Sequence, residues 1–257
     1  PTHGKLPDRR WCRCELLSGG KKTMSRAFPW QPLTSIQQRP SAVLFDLDGT
    51  LVDTADDLGA ALNHVLRLHG FAEKQAAQYR PMASHGAKGL LQLGFADDLA
   101  KFDFGKLRQQ LLDYYQQHLT VHSHVFAGGE QLLQLLAQAN IPWGIVTNKP
   151  YKLAAQMLRE MPELQDCKIL LGGDSLLQRK PDPTPLLIAS HQLSVTRNQC
   201  WYIGDAERDI EAGNRAGMHT FIAGFGFIDT TDCPETWQAD FMLDSFAELS
   251  AVVTTLI

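Results

Sequence analysis

Short apolar runs alternate with helical patterns from Ser41 onward, and this alternation limits the possible folds more than any other feature of the sequence. The apolar runs are nearly continuous, as is typical of parallel strands that are buried on both faces. We therefore expect an α/β fold with a doubly wound parallel sheet, a Rossmann-like core, covered by helices on both faces. The expected strands are residues 42–45, 143–146, 168–171, 201–203 and 220–222, and the expected helices between them are residues 130–138, 185–193 and 207–217.

Residues 55–125 interrupt the alternation, because three helical patterns follow one another there without a convincing strand between them. These patterns span residues 55–69, 87–93 and 106–119. We expect residues 55–125 to form a helical cap domain that is inserted after the first strand and lies over the carboxyl edge of the sheet, where ligands of such folds collect. The catalytic core would then comprise residues 41–54 and 126–257, and residues 1–40 would form a poorly ordered leader.

Charge separates the leader from the rest of the chain. Residues 1–40 carry eight Lys/Arg and two Asp/Glu, whereas the remaining residues carry 16 basic and 26 acidic side chains. Such an acidic body argues against nucleic-acid binding. No run approaches the roughly 20 apolar residues of a membrane span, and the leader has neither a clean amphipathic helix nor the apolar core of a secretion signal. We therefore expect a cytoplasmic protein without nucleic-acid or membrane partners, with Met24 as an alternative start of the chain.

The strongest chemical signal is the segment from Phe45 to Thr54, which begins where the first apolar run ends. Asp46 and Asp48 stand two residues apart there, and burying two carboxylates side by side is costly unless a cation offsets their repulsion. Their hard oxygen atoms suit Mg²⁺. Gly49 allows a sharp turn and would leave backbone N–H groups open to an anion. An ordinary surface turn would explain Asp-Gly alone but not the whole segment.

This segment resembles the first motif of the haloacid dehalogenase-like hydrolases, and sequences similar to their other three motifs follow in order. Thr147, which ends the second expected strand, is similar to the hydroxyl residue of the second motif. Lys180, in the segment Arg-Lys-Pro-Asp-Pro, is similar to the lysine of the third. Asp205 and Asp209, in the segment Gly-Asp-Ala-Glu-Arg-Asp, resemble the acidic fourth motif. Each motif alone is weak, but four in order indicate this family over approximately residues 41–225.

The resemblance implies a role for each catalytic residue. Asp46 would attack phosphorus without the help of a base, because a carboxylate with an ordinary pKa of about 3.9 is ionised at neutral pH. Asp48 would protonate the leaving alkoxide and then activate the water that hydrolyses the aspartyl-phosphate. Lys180 would offset the charge of the phosphoryl oxygens, and Thr147 would donate a hydrogen bond to them.

The family also implies a metal site and contacts to the substrate. Mg²⁺ would be held by Asp46, the backbone oxygen of Asp48 and Asp205, with Asp209 as a supporting acid near the metal or Lys180.

Gly49, Thr50 and Asn148 would contact the phosphorylated substrate. In the cap, residues 84–88 form a Gly-containing loop that opens the second expected helix and offer His85 and Lys88 as further substrate-binding candidates, because such a loop suits an anionic or hydroxylated group. A solvated loop explains these two residues equally well.

Within the family, Asp48 argues against a dehalogenase, because that reaction has no leaving alkoxide to protonate. A helical insert between the first and second motifs is the arrangement of phosphoglycolate phosphatase-like and β-phosphoglucomutase-like members. The segments 146–150, 171–174 and 180–183 are similar to the phosphoglycolate phosphatase branch, and residues 121–126 resemble its N-acetylmuramic acid 6-phosphate phosphatases.

We therefore expect a Mg²⁺-dependent phosphatase whose partner is a small phosphorylated metabolite, either phosphoglycolate or a sugar phosphate such as N-acetylmuramic acid 6-phosphate. The alternative is a β-phosphoglucomutase-like phosphomutase, which would use the same aspartyl-phosphate. A non-catalytic binding protein is less favoured, because a pure binder has no need for both Asp46 and Asp48. The sequence leaves open whether the protein is a monomer or a homodimer.

Overall fold

Six parallel strands form the central sheet in the computed structural model, which describes residues 29–257. The strands are β1 (Ala42–Phe45), β4 (Trp143–Val146), β5 (Leu170–Leu171), β6 (Cys200–Gly204), β7 (His219–Ala223) and β8 (Phe241–Leu243). Their order across the sheet is β5-β4-β1-β6-β7-β8. The chain moves outward from β1 on one side and then starts again on the other, so the topological switch point lies between β1 and β6. The predicted doubly wound α/β fold is confirmed.

Helices cover both faces of this sheet, because successive side chains of a strand point to opposite faces. Val43 and Phe45 of β1 belong to the apolar cluster that contains side chains of α5 (Gly129–Gln138), α6 (Tyr151–Glu160) and α9 (Phe246–Leu256). Ala42 and Leu44 belong to a second cluster, with side chains of α7 (Thr184–Gln192) and α8 (Glu207–Ala216). All four residues of β1 are buried, which explains why this strand is a continuous apolar run.

Each expected strand and helix of the core is present, with ends that differ by at most two residues. Gly217 ends α8 in the left-handed conformation, with a φ of +72°, as predicted for a glycine at a helix terminus. Three further elements, α6, β8 and α9, were not predicted from the sequence. β8 is only three residues long, and so short a strand gives little periodic signal.

The cap consists of four helices that precede β4 in the sequence. They are α1 (Ala55–Leu68), α2 (Ala76–Tyr79), α3 (Gly86–Phe95) and α4 (Phe104–Gln117). α1 packs against α3 and α4 through buried leucines that include Leu62, Leu66, Leu90 and Leu111. The three helices predicted for this region therefore exist, and α2 is an additional helix of four residues.

Two chain segments link the cap to the core, and they pair as an antiparallel ribbon. β2 (Val52–Asp53) pairs with β3 (His124–Val125); β3 lies within the region where no strand was expected. The buried Asp57 carboxylate accepts hydrogen bonds from the backbone N–H groups of His122 and Ser123 and from the Ser123 hydroxyl, at 2.7–3.0 Å. This carboxylate fixes the start of α1 to the segment just before β3. The boundaries of the cap domain stay a prediction.

Residues 29–40, the described part of the leader, contact the core. The Gln31 N–H donates to the Asp240 carbonyl at 2.9 Å, and Arg39 donates to the Ala139 carbonyl at 3.2 Å. The rest of the predicted leader, with Met24, lies outside the described residues. Within residues 29–257, every helix is too short or too polar to cross a membrane.

Candidate active site

The carboxyl ends of three neighbouring strands bring predicted catalytic and metal-binding residues to one edge of the sheet. Asp46 follows β1, Thr147 follows β4 and Asp205 follows β6. Because β1 lies between β4 and β6, these ends meet beside the switch point, where ligands of such sheets bind. The ladder continues into the site, since the Asp46 N–H donates to the Ile203 carbonyl and the Thr147 N–H to the Leu171 carbonyl, each at 2.9 Å. Strand register therefore sets the positions of Asp46 and Thr147.

Lys180 connects Asp46 to the fourth motif. Its ammonium nitrogen lies 3.1 Å from Asp46 Oδ1 and 2.7 Å from Asp209 Oδ1, and it donates to Tyr202 Oη at 2.8 Å. All of these side chains are buried. An ammonium group out of water requires such acceptors to offset its lost hydration. Lys180 is thereby fixed beside Asp46, as the third motif predicts.

The electrostatic surroundings of Asp46 favour its charged form. Burial alone would raise the pKa of this carboxyl, but the charges of Lys180 and Arg208 and hydrogen bonds from Thr147 and Leu47 outweigh it. The pKa therefore lies below its ordinary value of 3.8. The Leu47 N–H donates to Asp46 Oδ1 at 2.7 Å. Asp46 is thus ionised at neutral pH, the state that a nucleophilic carboxylate requires.

Three buried carboxylates, those of Asp46, Asp205 and Asp209, converge so that one oxygen of each lies within 4.8 Å of the others. Burial and the negative charges of Asp209 and Asp46 raise the pKa of Asp205 to about 7. A divalent cation would relieve this repulsion, and carboxylate oxygens are the ligands that hard cations prefer. The three residues therefore fit a metal site. The carboxylate of Asp48 lies outside this cluster, and for Asp48 the resemblance implied only the backbone oxygen.

Gly49 turns the chain next to Asp205. Its φ is +83°, and a Cβ atom at this position would lie 2.2 Å from Asp205 Oδ2, so conformation and contact both require glycine. The Gly49 N–H donates to the Val52 carbonyl at 3.0 Å, so this group is not open to an anion as we expected. The Thr50 hydroxyl donates to Asp205 Oδ1 at 3.0 Å. Substrate contact by Gly49 and Thr50 stays a prediction.

Asn148 lies between the second and third motifs. Its side-chain amide donates to the Lys180 carbonyl at 2.9 Å. Its Oδ1 atom is buried and lacks a hydrogen-bond partner within residues 29–257. A buried acceptor of this kind is costly to leave unpaired, so a water molecule or a ligand O–H would be a favourable partner.

Comparison with known proteins agrees with this geometry. The sequence matches the family described as haloacid dehalogenase-like hydrolase over residues 43–223, well over half of the chain. The chain belongs to the haloacid dehalogenase-like hydrolases.

Similar members of this family are phosphatases. A phosphoglycolate phosphatase from Xanthomonas campestris is 43% identical over 211 residues, which cover 82% of this chain and 95% of the relative. An N-acetylmuramic acid 6-phosphate phosphatase from Pseudomonas aeruginosa is 36% identical over 217 residues, with coverage of 84% and 96%. A crystal structure described as a predicted phosphoglycolate phosphatase from Haemophilus somnus has a TM-score of 0.75 at 25% identity, and the match covers 85% of this chain and 99% of the other. The expected enzyme class, a phosphoric monoester hydrolase, is confirmed.

A second group of charged and polar side chains in this hydrolase surrounds Asp48, and it includes a lysine, Lys149, for which no role was predicted from the sequence. Asp48 Oδ1 accepts hydrogen bonds from Lys149 Nζ at 2.8 Å and from the Thr54 hydroxyl at 2.7 Å. Lys149 also donates to Tyr115 Oη, on cap helix α4, at 2.8 Å. Burial, together with the negative charges of Asp48 and Asp57, keeps the pKa of Tyr115 well above its ordinary value, so its phenol is neutral. The position of Lys149, two residues after Thr147, was a usable sequence signal; Tyr115 offered none.

The cap reaches the catalytic edge of this hydrolase through Ser84. The Ser84 hydroxyl donates to Asp205 Oδ2 at 2.6 Å, and Arg208 donates to the Ser84 carbonyl at 2.7 Å. The neighbouring candidates His85 and Lys88 are exposed. The predicted loop therefore does approach the site, but the described side chain that touches it belongs to Ser84. Substrate binding by His85 and Lys88 stays a prediction.

An open cavity of about 540 Å³ also lies in the cap, among α1, α2 and α4. Its lining includes Asp56, Arg67, Glu73 and Tyr79. Arg67 pairs with Glu73, and Tyr79 donates to Asp56. The cavity contains none of the four motifs, so we do not assign the catalytic chemistry to it.

Proposed function

We propose that this protein is a Mg²⁺-dependent phosphatase that hydrolyses a small phosphomonoester through an aspartyl-phosphate on Asp46. The observation that supports this most strongly is the pairing of two carboxylates in different surroundings. Asp46 is buried beside Lys180, at 3.1 Å, with a lowered pKa. Asp48 is partly exposed and is held by Lys149 and Thr54. A nucleophile and a separate proton donor are what a two-step transfer requires.

In the first step a carboxylate oxygen of Asp46 forms a bond to phosphorus, and the bond from phosphorus to the ester oxygen breaks. The electron pair of that bond goes to the leaving oxygen, which takes a proton from Asp48 and departs as an alcohol. Thr147 and Lys180 would hold the phosphoryl oxygens during the transfer.

In the second step water attacks the phosphorus of the aspartyl-phosphate, and the Asp48 carboxylate accepts a proton from it. The bond between phosphorus and the Asp46 oxygen then breaks, so that inorganic phosphate leaves and the Asp46 carboxylate is restored. The same Asp48 thus serves as acid and then as base.

Mg²⁺ held by Asp46, Asp205, Asp209 and the Asp48 backbone oxygen would offset the charge of the phosphoryl oxygens. The charge balance of the site supports this. When the first step begins, Asp48 is protonated, so the three carboxylates of Asp46, Asp205 and Asp209, when ionised, face three cationic side chains, those of Lys149, Lys180 and Arg208. One divalent cation adds two positive charges to this balanced set, which favours a phosphate dianion.

For the substrate we propose phosphoglycolate or N-acetylmuramic acid 6-phosphate, after the two relatives described above. Both compounds carry a carboxylate besides the phosphate. The exposed Lys88 lies in the first turn of α3, four residues after Ser84, whose hydroxyl contacts Asp205, and it is a suitable cation for such a group.

The test is release of inorganic phosphate by the purified protein with Mg²⁺ from four esters: 2-phosphoglycolate, N-acetylmuramic acid 6-phosphate, a hexose phosphate and an aryl phosphate. We expect rapid release from one of the first two. A folded protein that releases phosphate from none of the four would overturn the proposal. Conversion of β-glucose 1-phosphate to glucose 6-phosphate without phosphate release would instead establish the phosphomutase alternative.

A further inference from the structure

Tyr115, on cap helix α4, packs against Lys149 and through it lies next to Asp48. Tyr115 Oη accepts from Lys149 Nζ at 2.8 Å, and Lys149 Nζ lies 4.4 Å from the centre of the Tyr115 ring. Lys149 Nζ in turn lies 2.8 Å from Asp48 Oδ1. Tyr115 and Lys149 are both buried. A phenol of the cap, an ammonium of the core and the proposed proton donor thus form one continuous chain.

The acceptors around Lys149 determine where its ammonium can lie. Out of water, an ammonium must replace its hydration with hydrogen bonds, and here it has Asp48 Oδ1 on one side and Tyr115 Oη on the other. Removing the phenolic oxygen would leave one N–H without its acceptor, so the ammonium would no longer be held at one position between the two groups, and its hydrogen bond to Asp48 Oδ1 would be less well oriented. The effect on Asp48 would be indirect, because Tyr115 does not itself bond to Asp48.

The end of α4 is fixed to the core, so the phenol is well anchored. Gln116 accepts from Lys152 Nζ at 3.2 Å through its side chain, and its carbonyl accepts from the Gln156 amide at 3.2 Å. Thr120 donates to Glu160 at 2.8 Å. Lys152, Gln156 and Glu160 all lie on α6, which begins two residues after Lys149. The contact between Tyr115 and Lys149 therefore lies beside an interface in which hydrogen bonds join the end of α4 and Thr120 to α6.

The two side-chain hydrogen bonds to Asp48 involve only one of its carboxylate oxygens. Both end at Oδ1, from Lys149 and Thr54. Within residues 29–257, Oδ2 receives no side-chain hydrogen bond, and the residue is partly exposed. Fixing Oδ1 in this way leaves Oδ2 for exchange of a proton with the leaving group and with water.

We propose that Tyr115 is a positioning residue for the general acid: through Lys149 it holds Asp48 Oδ1, so that the cap sets the orientation of the carboxyl that protonates the leaving group. This inference rests on the proposed function, in which Asp48 is the proton donor. It assigns a part in the reaction to helix α4 of the cap, separate from the segment at Ser84.

The test compares two kinds of ester, because an acid matters only when the leaving group is poor. The first is the better hydrolysed of 2-phosphoglycolate and N-acetylmuramic acid 6-phosphate, whose alkoxides need a proton. The second is 2,4-dinitrophenyl phosphate, whose phenolate leaves without one. Since kcat/KM covers the steps through release of the alcohol, it isolates the first transfer. We expect Tyr115→Phe to lower kcat/KM for the alkyl ester ~10-fold, the effect of losing a hydrogen bond to a charged group, and to change it for the aryl ester less than about twofold.

Tyr114→Phe is the matched control, because Tyr114 is the adjacent residue on α4 and its ring stacks on His64 and His118 of the cap. We expect this variant to have the kcat/KM of the parent protein for both esters. Melting temperatures of both variants report whether the fold is kept, and Tyr115→Phe retains the ring and its packing. Equal losses for the two esters in a folded Tyr115→Phe protein would overturn the proposal, as would no loss for either.

A double-mutant cycle with Lys149→Met tests the route through Lys149. If Tyr115 acts by holding Lys149, adding Tyr115→Phe to Lys149→Met should change the ratio of the two kcat/KM values no further. Independent, multiplying losses would contradict the proposal. Asp48→Asn separates this outcome from failure of the proposed function. If kcat/KM of that variant falls equally for both esters, Asp48 is not the acid. If Asp48→Asn lowers kcat/KM selectively for the alkyl ester and Tyr115→Phe has no such effect, only the role of Tyr115 is rejected.

Discussion

The core and the cap both contribute side chains to the candidate active site, but they position these side chains in different ways. At the core edge, Asp46, Thr147 and Asp205 each follow directly on a strand of one sheet. On the cap side, contact comes from a loop side chain, Ser84, and from a helix side chain, Tyr115. Neither of these follows from the periodicity of its own segment.

The difference between the two regions is also electrostatic. Lys180 is buried and pairs with the buried carboxylates of Asp46 and Asp209, whereas His85 and Lys88 are exposed to water. Buried charges interact more strongly because water does not screen them, and exposed charges contribute little. We therefore expect changes at the core edge to affect every substrate strongly, and changes on the exposed cap loop to affect substrates selectively and weakly.

Replacement of the nucleophile should have the largest effect. Asp46→Asn keeps the shape of the side chain but removes the charge that attacks phosphorus, so we expect kcat to fall by at least ~10³-fold for every ester. The measurement is phosphate release, with circular dichroism to establish that the fold is kept. Asp166→Asn, at an exposed aspartate between α6 and β5, is the control. Substantial turnover by a folded Asp46→Asn protein would rule out the covalent mechanism.

Removal of the metal should also affect all substrates, and it should change stability as well. Because Asp46, Asp205 and Asp209 crowd together, Mg²⁺ should stabilise the folded protein, by about 2.7 kcal/mol at one hundred times its Kd. For a chain of this length that corresponds to a rise in Tm of roughly 5–10 °C. Chelator should abolish phosphate release, and added Mg²⁺ should restore both activity and Tm. Full activity in excess chelator would contradict the proposed site.

The contrast between the regions explains what the sequence could predict. Motif residues at strand ends could be placed together because parallel strands end at one edge, and Asp46, Thr147 and Asp205 meet there. Lys149 and Arg208 lie within the same short segments, but their partners are distant in sequence: Tyr115 is 34 residues from Lys149, and Ser84 is 124 residues from Arg208. Such contacts depend on how the cap packs on the core, and no local pattern encodes that packing.

The raised pKa of Asp205 gives a smaller effect, on stability in the metal-free protein. This pKa is about 7, against an ordinary 3.8, so between those values the folded state keeps a proton that the unfolded state has lost. The free energy of unfolding should therefore fall as pH rises through this window, with a slope of at most about 1.4 kcal/mol per pH unit from this group. Denaturant unfolding in chelator at several pH values measures the slope.

Asp205→Asn is the variant for this measurement, because the amide keeps the size of the side chain and does not titrate. We expect a flatter dependence of stability on pH between about 4 and 7 than in the parent protein. Saturating Mg²⁺ should flatten the dependence of the parent in the same way, since a bound cation favours the ionised carboxylate. An identical slope in the parent and in Asp205→Asn would show that Asp205 does not carry the raised pKa.

The smallest expected effect is that of replacing Lys88, in the exposed first turn of α3, and this variant tests whether the cap selects the substrate. Lys88→Ala should lower kcat/KM for the preferred carboxylate-bearing ester about two- to fivefold, the scale of an exposed charge pair, and should leave an aryl phosphate unchanged. Lys106→Ala, at an exposed lysine of α4, is the control and should change neither. Equal losses for both esters would place Lys88 in the phosphate site or in the fold. No change for either would mean that the loop is solvated and that selection lies nearer Ser84, whose hydroxyl already reaches Asp205.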